Sequence, residues 1–372
     1  MLFEAPERKI SAIKHDIASL MAVNTFTPRT LAALVGKLMA LKISLKVNTL
    51  LRSRFMQMAI ADGSSWDQKM VISRPIREEL GFWYKVLSGP IEGRPIFPTM
   101  PTNYLSLYTD ASDSGGGGYL EGVSNSDVFF PWEDNDLPSS TYKELLALLK
   151  SLQALSCTLK SKTILWFSDN QMAVNILNNG SMKFDLQCLS LQIWLLADTL
   201  GLSLYSRWVP RKLNKYADML SRVSDTNDSS VNPAVFKFFD KLWGPYSFDR
   251  FADENNKKCD LFNSISNCPF NSGIDAFNFD WHGFNNWLVP PVHLISKTIL
   301  HAIKCKALCT LVIPKWPSAS FWPLLMEGHD FKSFIKGKVE YIKPKAFFLP
   351  GRNKLFSKPL KFDILVIKID FS

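Results

Sequence analysis

The stretch YTDASDSGGGGYL, residues 108–120, decides how the chain is read. An apolar run ends on Asp110, and glycines 115–118 follow almost at once. Three structures fit such a stretch: a loop that cradles phosphate, a flexible turn, or one corner of a metal site. A phosphate loop needs glycines that open a helix behind a strand, with a lysine placed to reach the phosphate. These glycines lead into a second extended run, and no lysine follows. They read as a hairpin turn and the start of a strand, which leaves Asp110 as the informative residue.

Working outward, residues 102–224 alternate between strand and helix patterns. YLSLYTD, GGYLEGV and DVFFPW read as three strands separated by turns. SSTYKELLALLKSLQAL is an amphipathic helix, and KTILWFSDN is a buried strand. QMAVNILNNG is a helix closed by glycine, and LQCLSLQIWLLADTLG is another helix. LSLYSRWVP is a strand and NKYADMLSR a last helix. That order predicts an α/β fold: a mixed five-stranded sheet with flanking helices.

Four acids stand where site residues stand. Asp110 ends the first strand, Glu144 lies in the first turn of the first helix, Asp169 ends the fourth strand, and Asp218 lies in the last helix. Each has a purely structural reading. Asp110 opens a turn; Thr141 and Glu144 form a capping box; Asp169 or Ser168 caps the next helix; Asp218 sits on a solvated face. Jointly they point elsewhere, because sites in open α/β sheets form beyond the carboxyl ends of strands. Several carboxylates gathered there repel one another. A hard divalent cation such as Mg²⁺ is the usual remedy. Two such ions about 3.5–4 Å apart activate a water and stabilise a leaving oxygen.

On YTDASDSGGGGYL, SSTYKELLAL, FSDNQMAVNIL and WVPRKLNKYADMLSR, in that order, residues 104–222 resemble the RNase H fold of retroelement reverse transcriptases. The resemblance implies Mg²⁺-dependent cleavage of RNA in RNA–DNA hybrids, with two ions (Mn²⁺ as a substitute) held by Asp110, Glu144, Asp169 and Asp218. Within that family the chain looks like the tyrosine-recombinase retrotransposons of the DIRS and Ngaro kind. Other parts of a retroelement polyprotein are then its partners. Some RNases H use a mobile histidine for product release. Here Trp208, Pro210, Arg211 and Asn214 occupy that segment, and no histidine lies between 16 and 281. A hybrid shows 2′-hydroxyls in a wide minor groove, and the glycine run leaves room for backbone to approach that duplex. Lys183, Arg207, Arg211, Lys212 and Lys215 are candidates for phosphate contact, ordinary solvated charge being the alternative.

Flanking segments differ in pattern. Residues 1–98 read as helical, with Thr27 before Pro28 as a helix start and another helix from about Ser73. RTLAALVGKLMALK and RSRFMQM resemble the thumb or connection region that follows the polymerase palm. No Asp-Asp pair exists in the chain, so a polymerase site is absent. A proline-rich stretch, residues 90–101, closes this segment, and residues 225–233 read as a polar linker. Residues 234–372 resemble a Dam-like adenine methyltransferase domain, on FDRFADENNKKCDLFNS, DAFNFDW, NNWLVPPVHLISKTILHAIK and TLVIPKWPSASFWPLL. That family places Asp or Asn before Pro-Pro to accept from the base amine, and an aromatic after it. Val289 and Val292 flank Pro290 and Pro291 here, so the resemblance implies a degenerate domain.

Composition sets the outer bounds. The chain has 372 residues, is 47% apolar and carries a formal charge of +9. It is long enough for two or three domains, and its charge fits a phosphate-rich partner. The six cysteines form no CxxC pair. His301, Cys305 and Cys309 read as one helical face without a fourth ligand, so structural zinc is not expected. The thiols read as reduced, the protein as intracellular, and no apolar run is long enough for a membrane. Two rival functions stand beside hybrid cleavage: a catalytically decayed or co-opted nucleic-acid binder, and a DNA adenine methyltransferase, against which Val289 argues.

Overall fold

The structure is a computed structural model and describes residues 2–45, 47–91, 94–95, 101–132, 137–223, 230–349 and 360–371. The chain divides into two compact units. One comprises Met1–Ser112, Asp134–Leu149 and Ser156–Asp218; the other comprises Asp113–Glu133, Lys150–Leu155 and Met219–Ser372.

The first unit opens with α1 (Glu7–Val23), α2 (Pro28–Ala40), α3 (Arg54–Ala61) and α4 (Arg74–Ser88). α2 starts as its sequence dictates. The Thr27 hydroxyl accepts from Thr30 N–H at 3.2 Å, the Thr30 hydroxyl accepts from Thr27 N–H at 3.0 Å, and Pro28 takes the first helical position. α3 is a helix that the sequence pattern did not announce. Its start is satisfied from a distance: the buried Glu79 carboxylate on α4 accepts from Phe55 N–H at 3.0 Å and Met56 N–H at 2.9 Å. Ile17, Leu31, Leu38, Met56, Leu80 and Trp83 fill the space between these helices.

The sheet of interest contains β1 (Leu105–Ala111), β2 (Gly115–Leu120), β3 (Val128–Pro131), β4 (Thr163–Ser168) and β5 (Ser203–Trp208), in the order β3-β2-β1-β4-β5. β1 pairs with β4, and β4 with β5, in parallel; β2 and β3 are antiparallel. The mixed five-stranded sheet expected from the sequence is therefore present. Its helices are α5 (Ser140–Ala154), α6 (Ser156–Leu159), α7 (Gln171–Asn179), α8 (Phe184–Leu200) and α9 (Lys215–Ser221). β4, TILWFS, is buried along almost its whole length, as a central parallel strand must be. The N-terminal helices bond to this part of the same unit: Arg54 Nε donates to the Asn179 carbonyl at 2.9 Å, and Gln187 Nε2 to the Leu51 carbonyl at 2.8 Å.

The glycine run starts a strand, as expected, but makes no turn. Residues 115–118 form no turn; they are the body of β2 and are buried. None has a left-handed φ. Their smallness serves close approach. A Cβ at Gly117 would lie 2.4 Å from the Ser221 nitrogen and 2.5 Å from the Leu220 carbonyl carbon. A Cβ at Gly116 would lie 2.7 Å from the Phe130 ring and 2.9 Å from the Trp132 ring. The room expected beside a duplex is filled by protein.

The second unit adds α10 (Pro233–Trp243), β6 (Phe248–Asp249), β7 (Leu261–Phe262), β8 (Asn285–Leu288), α11 (Ile295–Cys305), β9 (Leu308–Pro314), β10 (Ile335–Tyr341) and β11 (Ile364–Ile369). Strand order is β7-β6-β8-β9-β11-β10, parallel as far as β9 and antiparallel beyond. Trp281, Leu288, Ile299, Leu311 and Ile367 build its core. His301 and Cys305 touch at 3.4 Å, but Cys309 lies in β9 rather than on their helix, because α11 ends at Cys305. Within the expected linker, residues 225–229 lie outside the described residues. Val231 is buried and pairs with Phe348, and the Asn232 side chain caps α10. Most of the proline-rich stretch at 90–101 also lies outside the described residues. Among the described residues no helix is long and apolar enough to cross a membrane.

Two glycines give predictions of opposite sign. Gly117→Ala meets backbone and should destabilise by about 1–3 kcal/mol, the cost of overpacking. Gly36, inside α2 with nothing within 4 Å of a built Cβ, should tolerate the change. Gly36→Ala should stabilise by roughly 0.5–1 kcal/mol through helix propensity. Denaturant unfolding of each variant beside the parent checks both signs.

Candidate metal centre

The register of β1 and β4 builds the site. Leu105 pairs with Ile164 and Tyr108 with Phe167. Continued two residues, that offset brings Asp110 level with Asp169. Neighbouring strands lie about 4.8 Å apart, so two carboxylates at one level become near neighbours. Asp110 is buried inside the end of β1, while Asp169 follows the last residue of β4 and is half-buried. Glu144 joins them from α5. One carboxylate oxygen from each of Asp110, Glu144 and Asp169 lies within 4.8 Å of the others.

The structural readings of these acids fare differently. Ser139, not Thr141, caps α5, its hydroxyl accepting from Tyr142 N–H at 3.2 Å. That sets Glu144 as the fifth residue of a helix that begins at Ser140, one step beyond its first turn. Asn170 caps α7, accepting from Ala173 N–H at 3.0 Å. Asp169 is not needed as the cap.

The electrostatics follow from burial and like charge. Burial pushes Glu144 up to about 9, and Asp110 and Asp169 push it the same way. The Ser168 hydroxyl, donating to Glu144 Oε2 at 3.3 Å, opposes the shift. Asp169 is also raised, first by burial; Arg211 opposes that shift and Asp218 adds to it.

Asp218 stands apart from the three-acid group, in α9, where its Oδ1 accepts from Arg211 Nη2 at 2.8 Å. The five basic candidates are all exposed. Lys183 precedes α8, Arg207 lies near the end of β5, Arg211 and Lys212 share the turn Arg211–Leu213, and Lys215 opens α9. Among them, Arg211 is tied to the acids.

Three residues named in the sequence reading take supporting roles that it did not assign. Asn214, fully buried, donates from Nδ2 to the Thr109 carbonyl at 2.9 Å and so fixes the residue before Asp110. Trp208, an exposed residue, donates from Nε1 to the carbonyl of Asp169 at 2.9 Å. Ser168 accepts from Asn170 N–H at 3.1 Å while it donates to Glu144. The W-x-P-R-x-x-N spacing was visible, but nothing in it says which backbone groups those side chains reach.

The donor set suits a hard cation. It offers oxygens alone, without His or Cys. In an octahedral ion with bonds of about 2.1 Å, ligand oxygens sit about 3–4.2 Å apart, close to the spacing found here. Such an ion would relieve the repulsion that burial imposes on Glu144.

Comparison with known proteins adds the following. Residues 135–224 match a family model described as reverse transcriptase-like. No curated protein matches the chain. Among solved structures, RNase H1 of the archaeon Halobacterium salinarum is similar at 21% identity, over 32% of this chain and 94% of that one, with a TM-score of 0.26. The N-terminal RNase H domain of Rv2228c from Mycobacterium tuberculosis is similar at 17% identity, over 31% and 90%, with a TM-score of 0.26. LC11-RNase H1, solved with an RNA/DNA hybrid, is similar at 19% identity, over 31% and 92%, with a TM-score of 0.25. The family match spans Glu144, Asp169 and Asp218, while Asp110 lies ahead of it. The match covers β4 and β5 with α5–α9 and begins after β3.

Proposed function

We propose that this chain is a divalent-metal-dependent endonuclease of the RNase H type, which cleaves the RNA strand of RNA–DNA hybrids. One observation carries the reading: three carboxylates from three separate elements converge with oxygens within 4.8 Å, and two are levelled by a parallel strand register. Mg²⁺ is the preferred ion and Mn²⁺ a substitute. Bound there, two ions would activate a water and stabilise the leaving oxygen. Asp110 and Asp169 would bind the two ions, Glu144 would hold one of them near the attacking water, and Asp218 would complete the other. Lys183, Arg207, Arg211, Lys212 and Lys215 meet backbone phosphates. Products carry a 3′-hydroxyl and a 5′-phosphate.

The order of sequence motifs supports a retroelement polyprotein as the context. Residues 1–98 then form a thumb or connection remnant, 102–224 the nuclease, 225–233 a linker and 234–372 a degenerate methyltransferase-like domain. The parallel run β7-β6-β8-β9 supports the fold half of that last resemblance. A cavity of about 330 Å³, lined by Phe251, Asp253, Asn263, Phe277, Pro291 and Leu294, opens after these strands. Its lining does not fit a target base at Val289. The Asp253 carboxylate already accepts from Asn255 and Asn256 N–H groups, and Val289 has no acceptor for a base amine.

Hybrid cleavage with Mg²⁺ tests the main reading. The parent should cut, and Asp110→Asn should lose at least about 100-fold in rate, as removal of a metal ligand does. A parent that binds hybrid and never cuts it leaves the nucleic-acid binder as the surviving reading. Equal cutting by Asp110→Asn overturns the site assignment. S-adenosylmethionine should neither bind the chain in calorimetry nor transfer a labelled methyl group to DNA.

The raised Glu144 acid predicts a pH effect with a definite sign. Unfolded chain releases this proton near 4.5, whereas the ion-free fold keeps it to about 9. The group's contribution to stability is full below 4.5 and is lost as pH rises through 9. The gain in Tm on adding Mg²⁺ should therefore be larger at about pH 8.5 than at about pH 6. Glu144→Gln should flatten that dependence in a calorimetric scan.

A further inference from the structure

We propose that Arg211 is a positioning residue that occupies the Asp218 side of the acid cluster in the free protein, and leaves it when nucleic acid binds. The inference rests on the reading of the acids as a metal centre and deepens it. It assigns to this chain a control on the second ion.

The geometry separates two kinds of acid. Asp110, Glu144 and Asp169 have oxygens within 4.8 Å of one another and are not joined by Asp218. Asp218 Oδ1 instead accepts from Arg211 Nη2 at 2.8 Å. The Arg211 side chain is 70% exposed, that of Asp218 26%. Asp218, Asp169 and Asp110 all act to keep the guanidinium charged, Asp218 most. A monocation thus already sits on Asp218, the acid proposed to complete the second ion.

The surroundings allow it to leave. The Arg211 backbone is fixed, because its carbonyl accepts from Asn214 N–H at 3.0 Å and Asn214 is itself bonded to Thr109. The exposed side chain swings on that fixed point. Exposed ion pairs are weak, whereas a phosphate engages guanidinium through two parallel N–H bonds. A backbone phosphate beside the cluster therefore draws Arg211 away from the Asp218 carboxylate and takes its charge off the Asp218 side of the cluster. The coupling is reciprocal: nucleic acid favours the second ion, and the second ion favours nucleic acid.

The test is calorimetric titration of the full chain with Mn²⁺, without nucleic acid, for the parent, Arg211→Gln, Arg211→Lys and Asp110→Asn. Arg211→Gln should bind its second ion about three- to tenfold more tightly than the parent, the scale of an exposed pair plus one charge removed. Its first ion should stay within about twofold, and Arg211→Lys should fall near the parent, since the charge is kept. Equal second-ion affinity in the parent and Arg211→Gln overturns the proposal. Equal tightening of both ions also overturns it, because that is a general field effect and not a hold on Asp218. Should neither protein bind any ion, with Asp110→Asn indistinguishable from them, the metal-centre reading itself has failed and this inference falls with it.

Discussion

A carboxylate in a dry place beside two others stays ionised only if a cation joins it. Glu144 occupies such a place. It is buried, and its neighbours Asp110 and Asp169 both oppose its charge. The surrounding structure maintains that conflict. Parallel pairing levels the two strand-end aspartates, α5 delivers the glutamate between them, and bonds from Asn214 and Trp208 pin the backbone at Thr109 and Asp169. A fold selected for stability alone would separate three such acids. Their convergence is the observation on which the proposed metal centre rests.

The segment after β5 is the other half of this constraint. Trp208, Val209 and Asn214 bond in turn to the carbonyls of Asp169, Ser168 and Thr109, so one short stretch grips the ends of both acid-bearing strands. α9 then runs on until Leu220 and Ser221 press against Gly117. The glycine end of β2 thus fixes where the far end of α9 lies. The quadruple glycine is a packing solution, and its nearness in sequence to Asp110 reflects only the short turn between β1 and β2.

Much of the fold was legible because it rests on local patterns. Apolar runs located β1, β4 and β5, and strand ends in an α/β order located Asp110 and Asp169. Thr27 and Pro28 announced α2 because that cap is made within four residues. What stayed hidden depends on partners far away in sequence. α3 is capped by Glu79 from another helix, so its own sequence lacks a start signal. The glycine run looked like a turn because the side chains that fill its space, Phe130, Trp132 and Leu220, come from elsewhere. Asp218 read as one of four equal acids because spacing cannot show that Arg211 holds it.

The strand-end acids of the second unit make an instructive contrast. Asp249, at the end of β6, is also buried and raised to about 7, first by burial. Yet its carboxylate accepts from Lys258 N–H at 3.0 Å and Phe251 N–H at 3.4 Å. Asp253 is engaged in the same way by Asn255 and Asn256. Neighbouring Arg250, buried as well, donates to Asn286 and Asn263 at 2.7 and 2.9 Å and lies over the Phe248 ring. Here the two carboxylates face backbone amides that the fold itself supplies, so they hold loops in place. Around Glu144 the charges face one another. Both acid sets stand at the carboxyl ends of parallel strands, so position alone does not tell scaffold from site. The difference lies in what each carboxylate faces, and by that measure the acids around Glu144 are the set that calls for a cation.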